Sequence, residues 1–367
     1  MEMAENEKTR KGGRRLRVLT LGPLPPPYTG TPVSYQHLVD FLGNHPDVQL
    51  SMLNTMGIRG NGLKGVVRFG RLLWRSLTFS RKCDVVTLHC STTALHIMGI
   101  SVYLVAWLTG KPLIIRKFAG DDYPATLGKL GQAIAEFVLR RTELYLVQTQ
   151  QLLKQSQDRG LPNVKWYPTS RPVPEIEQGA FKAGAQCLRF VYVGRVCEAK
   201  GMRLLANIDD RLPDGVTIDI YGPWYDDLER NIFDDCSNIT YRGMLEPQEV
   251  IEAMRKYDAS VLPTHYEREG YPGAVMESYI AGLPVIATRW RALPEIIDES
   301  VGILVEPKSA DAFLQAMFRL AQDKALFQKL RSNTWSKANF FSTQHWGERF
   351  IELCREVAGK KSRDKQS

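Results

Sequence analysis

The apolar positions of this chain fall into short runs rich in Val, Ile and Leu, separated by longer stretches with helical periodicity. A first series lies at 17–21, 85–88, 113–115 and 144–147, and a second restarts the pattern at 190–193, 217–221, 259–262, 284–287 and 302–305. Short apolar runs alternating with helical stretches predict parallel strands joined by βα crossovers, and two series predict two α/β domains. Between them, residues 166–187 carry Pro168, Pro172, Pro174, Gly179 and Gly184 without periodicity, which suits an interdomain connection. The boundary is placed near residue 180.

Beyond residue 343, Trp346, Phe350, Ile351, Cys354 and Val357 recur at helical spacing, so 344–357 should pack as a helix. Periodicity leaves open whether that helix returns to the first domain. The expected organisation is a basic N-terminus (1–16), a first Rossmann-like domain (17–180), a second (181–342), and a C-terminal helix with a polar tail (343–367). The apolar stretch 94–109 contains His96 and ends at Gly110-Lys111-Pro112, too short to span a bilayer, and reads as a buried helix. No apolar segment follows Lys8, Arg10, Lys11, Arg14 and Arg15, so no signal peptide is expected there.

Composition adds bounds. A chain of 367 residues, 44% hydrophobic and 24% charged, exceeds what one core usually serves and is too apolar for extensive disorder. Its six cysteines form no CxxC pair and have no histidine at metal-ligand spacing, which argues against a zinc site or disulfide framework and fits a reducing cytoplasm. The formal charge of +8 admits nucleic acid, anionic lipid or phosphorylated ligands. Part of it lies at 64–82, between Lys64 and Lys82, where Val66, Phe69, Leu73 and Leu77 recur at helical spacing against Arg68, Arg71 and Arg75. That pattern predicts an amphipathic basic helix, serving either as a domain helix with its apolar side buried or as an attachment to an anionic membrane surface. No nucleic-acid motif accompanies the charge, so nucleic acid is not an expected partner.

Candidate chemistry concentrates at 263–277, Pro-Thr-His-Tyr-Glu-Arg-Glu-Gly-Tyr-Pro-Gly-Ala-Val-Met-Glu, directly after the apolar run 259–262. Pro272 suits a first helical turn and Gly282 a C-terminal stop. The strand-loop-helix order then puts the backbone N–H groups of Gly273, Ala274 and Val275 at a helix N-terminus, where a phosphate is attracted. Glu277 rises on the same face four residues after Gly273, and Glu269 sits in the preceding loop. Carboxylates beside a phosphate site suit sugar hydroxyls.

Glu269-(x7)-Glu277 in this setting resembles the signature of the retaining glycosyltransferases of the GT4, or group 1, family. The resemblance continues in order through Phe-Val-Tyr-Val-Gly-Arg at 190–195, Lys200-Gly201, Ile220-Tyr221-Gly222-Pro223, Tyr241-Arg242-Gly243 and Ala-Gly-Leu-Pro-Val-Ile-Ala-Thr at 281–288. It implies the GT-B fold, two Rossmann-like α/β/α domains facing each other across a cleft. It also implies that Arg195 and Lys200 contact the donor diphosphate, where their charge can stabilise the leaving group, and that Glu269 completes the catalytic set. By the same resemblance Glu277 holds the ribose, Glu269 the transferred sugar, and the backbone of Gly194, Gly270, Tyr271, Gly273, Ala274 and Val275 lines the donor. The base is expected near Gly243 and Met244. Gly30 and Thr31 resemble the glycine-rich loop that closes over the diphosphate from the first domain, although the family often has two glycines there.

A second departure follows the run 113–115, where many relatives carry His-Gly and this chain reads Arg116-Lys117-Phe118-Ala119-Gly120-Asp121-Asp122. Asp121 and Asp122 are therefore the acceptor-side candidates, while His89 reads as structural. The family needs no metal or cofactor, so none is expected, and the donor is a UDP-, GDP- or similar nucleotide sugar. The reading is retaining, metal-independent transfer of a hexose-type unit to a hydroxyl acceptor, a lipid-linked saccharide or polysaccharide precursor, by a cytoplasmic protein peripheral to the membrane. An inactive sugar-nucleotide-binding or scaffolding protein of the same fold is the alternative, motivated by the missing histidine. A glycosidase using Glu269 and Glu277 conflicts with Arg195 and Lys200.

Overall fold

The computed structural model describes residues 14–56, 63–118, 128–174 and 188–363. In the first domain the strands are β1 (Leu16–Gly22), β2 (Val48–Asn54), β3 (Val85–Cys90), β4 (Leu113–Lys117), β5 (Leu144–Val147) and β6 (Val164–Trp166). They form one parallel sheet in the order β2-β1-β3-β4-β5-β6. The helices between them are α1 (Gly30–Asn44), α2 (Leu63–Ser80), α3 (Thr92–Leu108), α4 (Lys129–Arg141) and α5 (Gln150–Asp158). In the second domain β7 (Arg189–Val193), β8 (Thr217–Tyr221), β9 (Ile239–Tyr241), β10 (Ala259–Leu262), β11 (Val285–Thr288) and β12 (Gly302–Val305) form a parallel sheet ordered β12-β11-β10-β7-β8-β9. Its helices are α6 (Met202–Ala206), α7 (Val250–Met254), α8 (Gly273–Ile280), α9 (Ala310–Gln322) and α10 (Lys324–Phe340), and α11 (Thr343–Arg363) closes the chain.

Each sheet is covered on both faces, which is why its strands are apolar throughout rather than alternating. In the first domain Leu72 of α2, Leu95, Met98 and Val102 of α3, Val138 of α4 and Leu152 of α5 pack on one face. On the other, Leu38 and Leu42 of α1 meet Trp346, Phe350, Ile351, Cys354 and Val357 of α11. The C-terminal helix thus returns to the first sheet. The second domain is organised around Phe190, Tyr192, Tyr279, Phe313 and Phe327.

Three strands escape the apolar-run pattern. Strand β2 is an edge strand with a half-exposed pattern and Met52 open to solvent, and β6 and β9 are three-residue edges. Two helical expectations need correction. Helix α3 is not a buried helix, because Ile97, Leu104, Trp107 and Leu108 are 46 to 66% exposed on its outer side. Uniform apolarity hid that face, which no further layer of the described residues covers. Helix α2 buries Leu72 and Ser76 and exposes Val66, Val67 and Trp74, so its inward stripe is rotated from the one expected through Val66 and Leu73.

The expected connection at 166–187 is structured at its start. Trp166 ends β6, the Tyr167 hydroxyl donates to the Trp346 carbonyl at 2.7 Å, and Arg171 pairs with the second crossing of the chain. The Arg171 N–H donates to the Phe341 carbonyl at 3.0 Å, and the Thr343 N–H to the Arg171 carbonyl at 2.8 Å. The proposed boundary near 180 lies outside the described residues, as do Ala119, Gly120, Asp121 and Asp122.

Candidate functional site

In the second sheet β7 and β10 are neighbours, and chain order runs outward from them in opposite directions. The crevice at the carboxyl ends of two such strands is the expected ligand site of an open α/β sheet. Both loops of interest open there. After β7 come Gly194, Arg195 and a turn at Glu198–Lys200, and after β10 comes the loop holding Glu269.

Gly201 makes the junction between these loops possible. Its φ is +80°, and a Cβ there would fall 2.2 Å from the Pro263 carbonyl oxygen. Only glycine combines that backbone conformation with so close an approach. The contact seats Lys200 on the loop after β10, where its ammonium forms an ion pair with the Glu269 carboxylate, both groups being more than nine-tenths buried. The Thr264 hydroxyl donates to the same carboxylate oxygen at 2.7 Å. Arg195 lies half-buried with its guanidinium 4.6 Å from the Tyr266 ring centroid and 5.5 Å from that of Tyr225. The Lys200 ammonium is 5.4 Å from the same Tyr266 ring. The fold therefore gathers Arg195, Lys200 and Glu269 around Tyr266. Thr264 and Tyr266 were missed in the sequence because they lie between the motif residues without a spacing of their own.

Helix α8 begins at Gly273, with Pro272 as its cap residue and no side-chain cap. The Val275 N–H is bonded to the Pro272 carbonyl at 3.1 Å, so among the described residues Gly273 and Ala274 supply the open donors of the first turn. The Val275 side chain is in the core. Tyr271 turns away from the crevice, its hydroxyl donating to Glu295 at 2.6 Å, and Gln148 of the first domain donates to its carbonyl at 3.3 Å. Of Tyr271, the backbone alone borders the crevice loop.

Glu277 is partly buried on α8, and its Oε1 accepts from Nε of Arg171 at 2.6 Å. Arg171, whose side chain is 5% exposed, also donates through Nη1 to the Ser34 hydroxyl of α1 at 3.0 Å and to its neighbour's carbonyl at 3.1 Å. Gly30 and Thr31 start that same α1, so the first turn of α1 is joined to α8 through one guanidinium. A Cβ on Gly30 would meet nothing within 4 Å, so the backbone there is open to a ligand.

The remaining candidates lie apart. Gly243 accepts from the Gly222 N–H at 2.9 Å, while Met244 is 68% exposed at the rim beyond β9. His89 is buried, its Nε2 3.2 Å from the Thr87 hydroxyl and its ring 4.9 Å from that of Tyr35, and burial holds it well below the usual histidine range. Arg116, in the stretch that departs from His-Gly, points into the core between the rings of Phe118 and Tyr167, where burial lowers its pKa to about 10. Among the described residues no group of three or more His, Cys, Asp and Glu is placed to hold a metal ion.

Two cations beside a crevice, an open helix N-terminus and two carboxylates form a site that can neutralise phosphates and accept from sugar hydroxyls at once. Comparison with known proteins bears on the family and the fold. Residues 187–323 match the family described as "Glycosyl transferases group 1". The chain is 30% identical over 139 residues to the sulfoquinovosyl transferase of Arabidopsis thaliana, covering 36% of this chain and 26% of that protein. It is 24% identical over 275 residues to the UDP-Gal:alpha-D-GlcNAc-diphosphoundecaprenol alpha-1,3-galactosyltransferase of Escherichia coli, covering 67% and 68%. The chain spans 26 to 42% of the length of three of these relatives, among them the amylovoran biosynthesis glycosyltransferase of Erwinia amylovora. In fold it is similar to the Anabaena HepE protein in complex with UDP and glucose, with a TM-score of 0.70 and 12% identity over 94% of this chain and all of that one. It is also similar to the sucrose-phosphate synthase of Thermosynechococcus elongatus, at 0.68 and 15% over 94% and 100%. The architecture is GT-B.

Proposed function

We propose that this chain, a GT4-like group 1 glycosyltransferase with the GT-B fold, moves a hexose-type unit from a nucleoside diphosphate sugar to a hydroxyl acceptor with retention of configuration. The observation that carries the reading is the Lys200–Glu269 pair, braced by Thr264 beside Arg195, at the crevice that also receives the start of α8. The donor's phosphates are held by the Gly273 and Ala274 N–H groups with Arg195 and Lys200. As the sugar–phosphate bond lengthens, negative charge grows on the leaving diphosphate, and these fixed cations and dipoles stabilise it without a metal. Glu269 accepts from hydroxyls of the transferred sugar, which takes it partly out of its pairing with Lys200 and frees that ammonium for the diphosphate. Glu277 receives the ribose. The departing diphosphate accepts the acceptor's proton on the face it leaves from, so Glu269 positions and stabilises rather than attacks.

For the acceptor, the name of the Escherichia coli relative points to a diphosphoundecaprenol-linked sugar. A lipid-linked acceptor also suits the outer side of α2, α3 and α4, which exposes Val66, Trp74, Ile97, Trp107, Leu108, Leu130 and Phe137 together with Arg71, Arg75 and Arg141. Neither α2 nor α3 contains an acidic residue. The attachment belonging to this reading is peripheral, at the cytoplasmic face; no helix among the described residues is long and apolar enough to cross a membrane.

The reading is tested by incubating the purified protein with a panel of UDP- and GDP-sugars and an isoprenoid diphosphate-linked monosaccharide. Wild type should transfer from one donor, and Glu269→Gln and Lys200→Ala should each lower the rate by about 100-fold or more. Tight nucleotide binding without transfer from any donor would favour the inactive, scaffolding form of the fold.

A further inference from the structure

Arg171 touches both sides of the cleft and lies on the connection between them. It sits where the two crossings of the chain pair with each other, Arg171 beside Ser342. From there its side chain reaches Ser34 on α1 and Glu277 on α8. The space it fills exists because residue 273 has no side chain. A Cβ on Gly273 would lie 1.7 Å from the Arg171 Nη2. Gly273 therefore serves the guanidinium as well as the helix start. The arrangement is also electrostatically unusual. Buried Arg116 and the α8 N-terminus lie near the same guanidinium, and Glu277 is its one acidic partner among the described contacts. A cation kept beside a helix N-terminus is unfavourable unless a bound carboxylate or an incoming anion offsets it.

Glu277 is held by one oxygen only. Its Oε1 is fixed by Arg171, whereas Oε2 makes no bond among the described residues and the side chain is 17% exposed. A carboxylate locked at one oxygen and open at the other is a preorganised acceptor for a hydroxyl. We propose that Arg171, braced by Ser34, is a positioning residue that aims Glu277 at the ribose hydroxyls of the donor, so that ribose recognition depends on the contact between domains. The proposal rests on Glu277 being the ribose carboxylate, as read above. It assigns Arg171 no direct contact with phosphate.

Binding of the preferred nucleoside diphosphate and of its 2′,3′-dideoxy analogue is measured by calorimetry for wild type, Arg171→Met, Ser34→Ala, Glu277→Gln and the Arg171→Met/Glu277→Gln double variant. Wild type should favour the ribonucleotide by about tenfold or more, the worth of a hydrogen bond to a charged group. Arg171→Met should lose most of that preference while retaining much of its affinity for the dideoxy analogue. Ser34→Ala should lose a few-fold of it, and the double variant should show no less preference than Glu277→Gln alone. Ser34→Ala keeps the test sharp if Arg171→Met fails to fold, and a cooperative thermal melt identifies that case. A preference left intact in folded Arg171→Met or in Ser34→Ala, or affinities for both nucleotides that fall together, would overturn the proposal. Wild type that binds the diphosphate without any ribose preference would overturn it too. Wild type that binds no nucleoside diphosphate would instead sink the reading of the site itself.

Discussion

Lys200 and Glu269 are buried against each other, and that pairing couples stability to function at the level of single residues. Removing one partner leaves a charge in a crevice lined by Tyr266 and the buried strand end, a change that costs about 3–5 kcal/mol where burial is this deep. Lys200→Met should therefore lower the denaturant midpoint markedly, whereas Lys200→Met/Glu269→Gln should recover most of the stability and none of the transfer. If the double variant is as unstable as the single one, the pair does not carry the stability assigned to it. Half-buried His37 offers a second test, by pH. Burial first, and then the Arg171 charge, push its pKa from 6.5 down to about 3. Between those values the unfolded chain binds a proton that the native state refuses, so stability falls as pH falls through that window, at up to about 1.4 kcal/mol per pH unit. Denaturant titrations between pH 7.5 and 4.5 should show this slope, and His37→Gln should flatten it by one such contribution.

At the scale of elements, the strand series was legible because parallel strands covered on both faces must be apolar at every position. Three of the four edges were not: β2 pairs on one side only and leaves Met52 and its neighbours to solvent, and β6 and β9 are three residues long, whereas the edge strand β12 keeps an apolar run and was read. The donor loops were legible for a related reason: helix starts and left-handed glycines have local chemical signatures, as at Pro272-Gly273 and Lys200-Gly201. Arg171 was not, because its role arises from three segments meeting at 34, 171 and 277, and no local pattern records such a meeting. Gly201 shows how strictly one element can depend on another. Its φ of +80° and the 2.2 Å approach to Pro263 leave no room for a methyl group, so Gly201→Ala must move the Lys200 turn off the loop after β10. We expect a loss of about 2 kcal/mol or more in thermal or chemical denaturation, with weakened nucleotide binding, because strain and displaced backbone both contribute. Gly215, with φ +77° and nothing within 4 Å of where a Cβ would stand, is the control, and Gly215→Ala should cost less and leave nucleotide binding unchanged.

At the scale of the whole molecule the two domains are fastened in several places. Glu295 of the second domain accepts from the Gln150 and Gln151 N–H groups at 2.6 and 2.9 Å, capping α5 of the first, while α11 carries the chain back onto the first sheet. That fastening leaves the outer side of α2, α3 and α4 as an uncommitted surface of the first domain. Its tryptophans, Trp74 and Trp107, stand about two-thirds exposed on a face that also exposes Arg71, Arg75 and Arg141, the composition of an interfacial rather than a buried face. Each basic residue brought to an anionic bilayer contributes on the order of 1 kcal/mol, and salt screens that share while leaving the aromatic share intact. Wild type should therefore sediment with vesicles containing anionic phospholipid and much less with neutral ones. Replacing Arg68, Arg71 and Arg75 by Ser should weaken the charge dependence, and Trp74→Ser/Trp107→Ser should weaken what remains at high salt. Unchanged sedimentation in both sets would show that this face is solvated, and the preference for a lipid-linked acceptor would then rest on the relative's name alone. Because the face lies on the first domain and the donor crevice on the second, neither set should alter the affinity for a nucleoside diphosphate, which separates a docking defect from a damaged site.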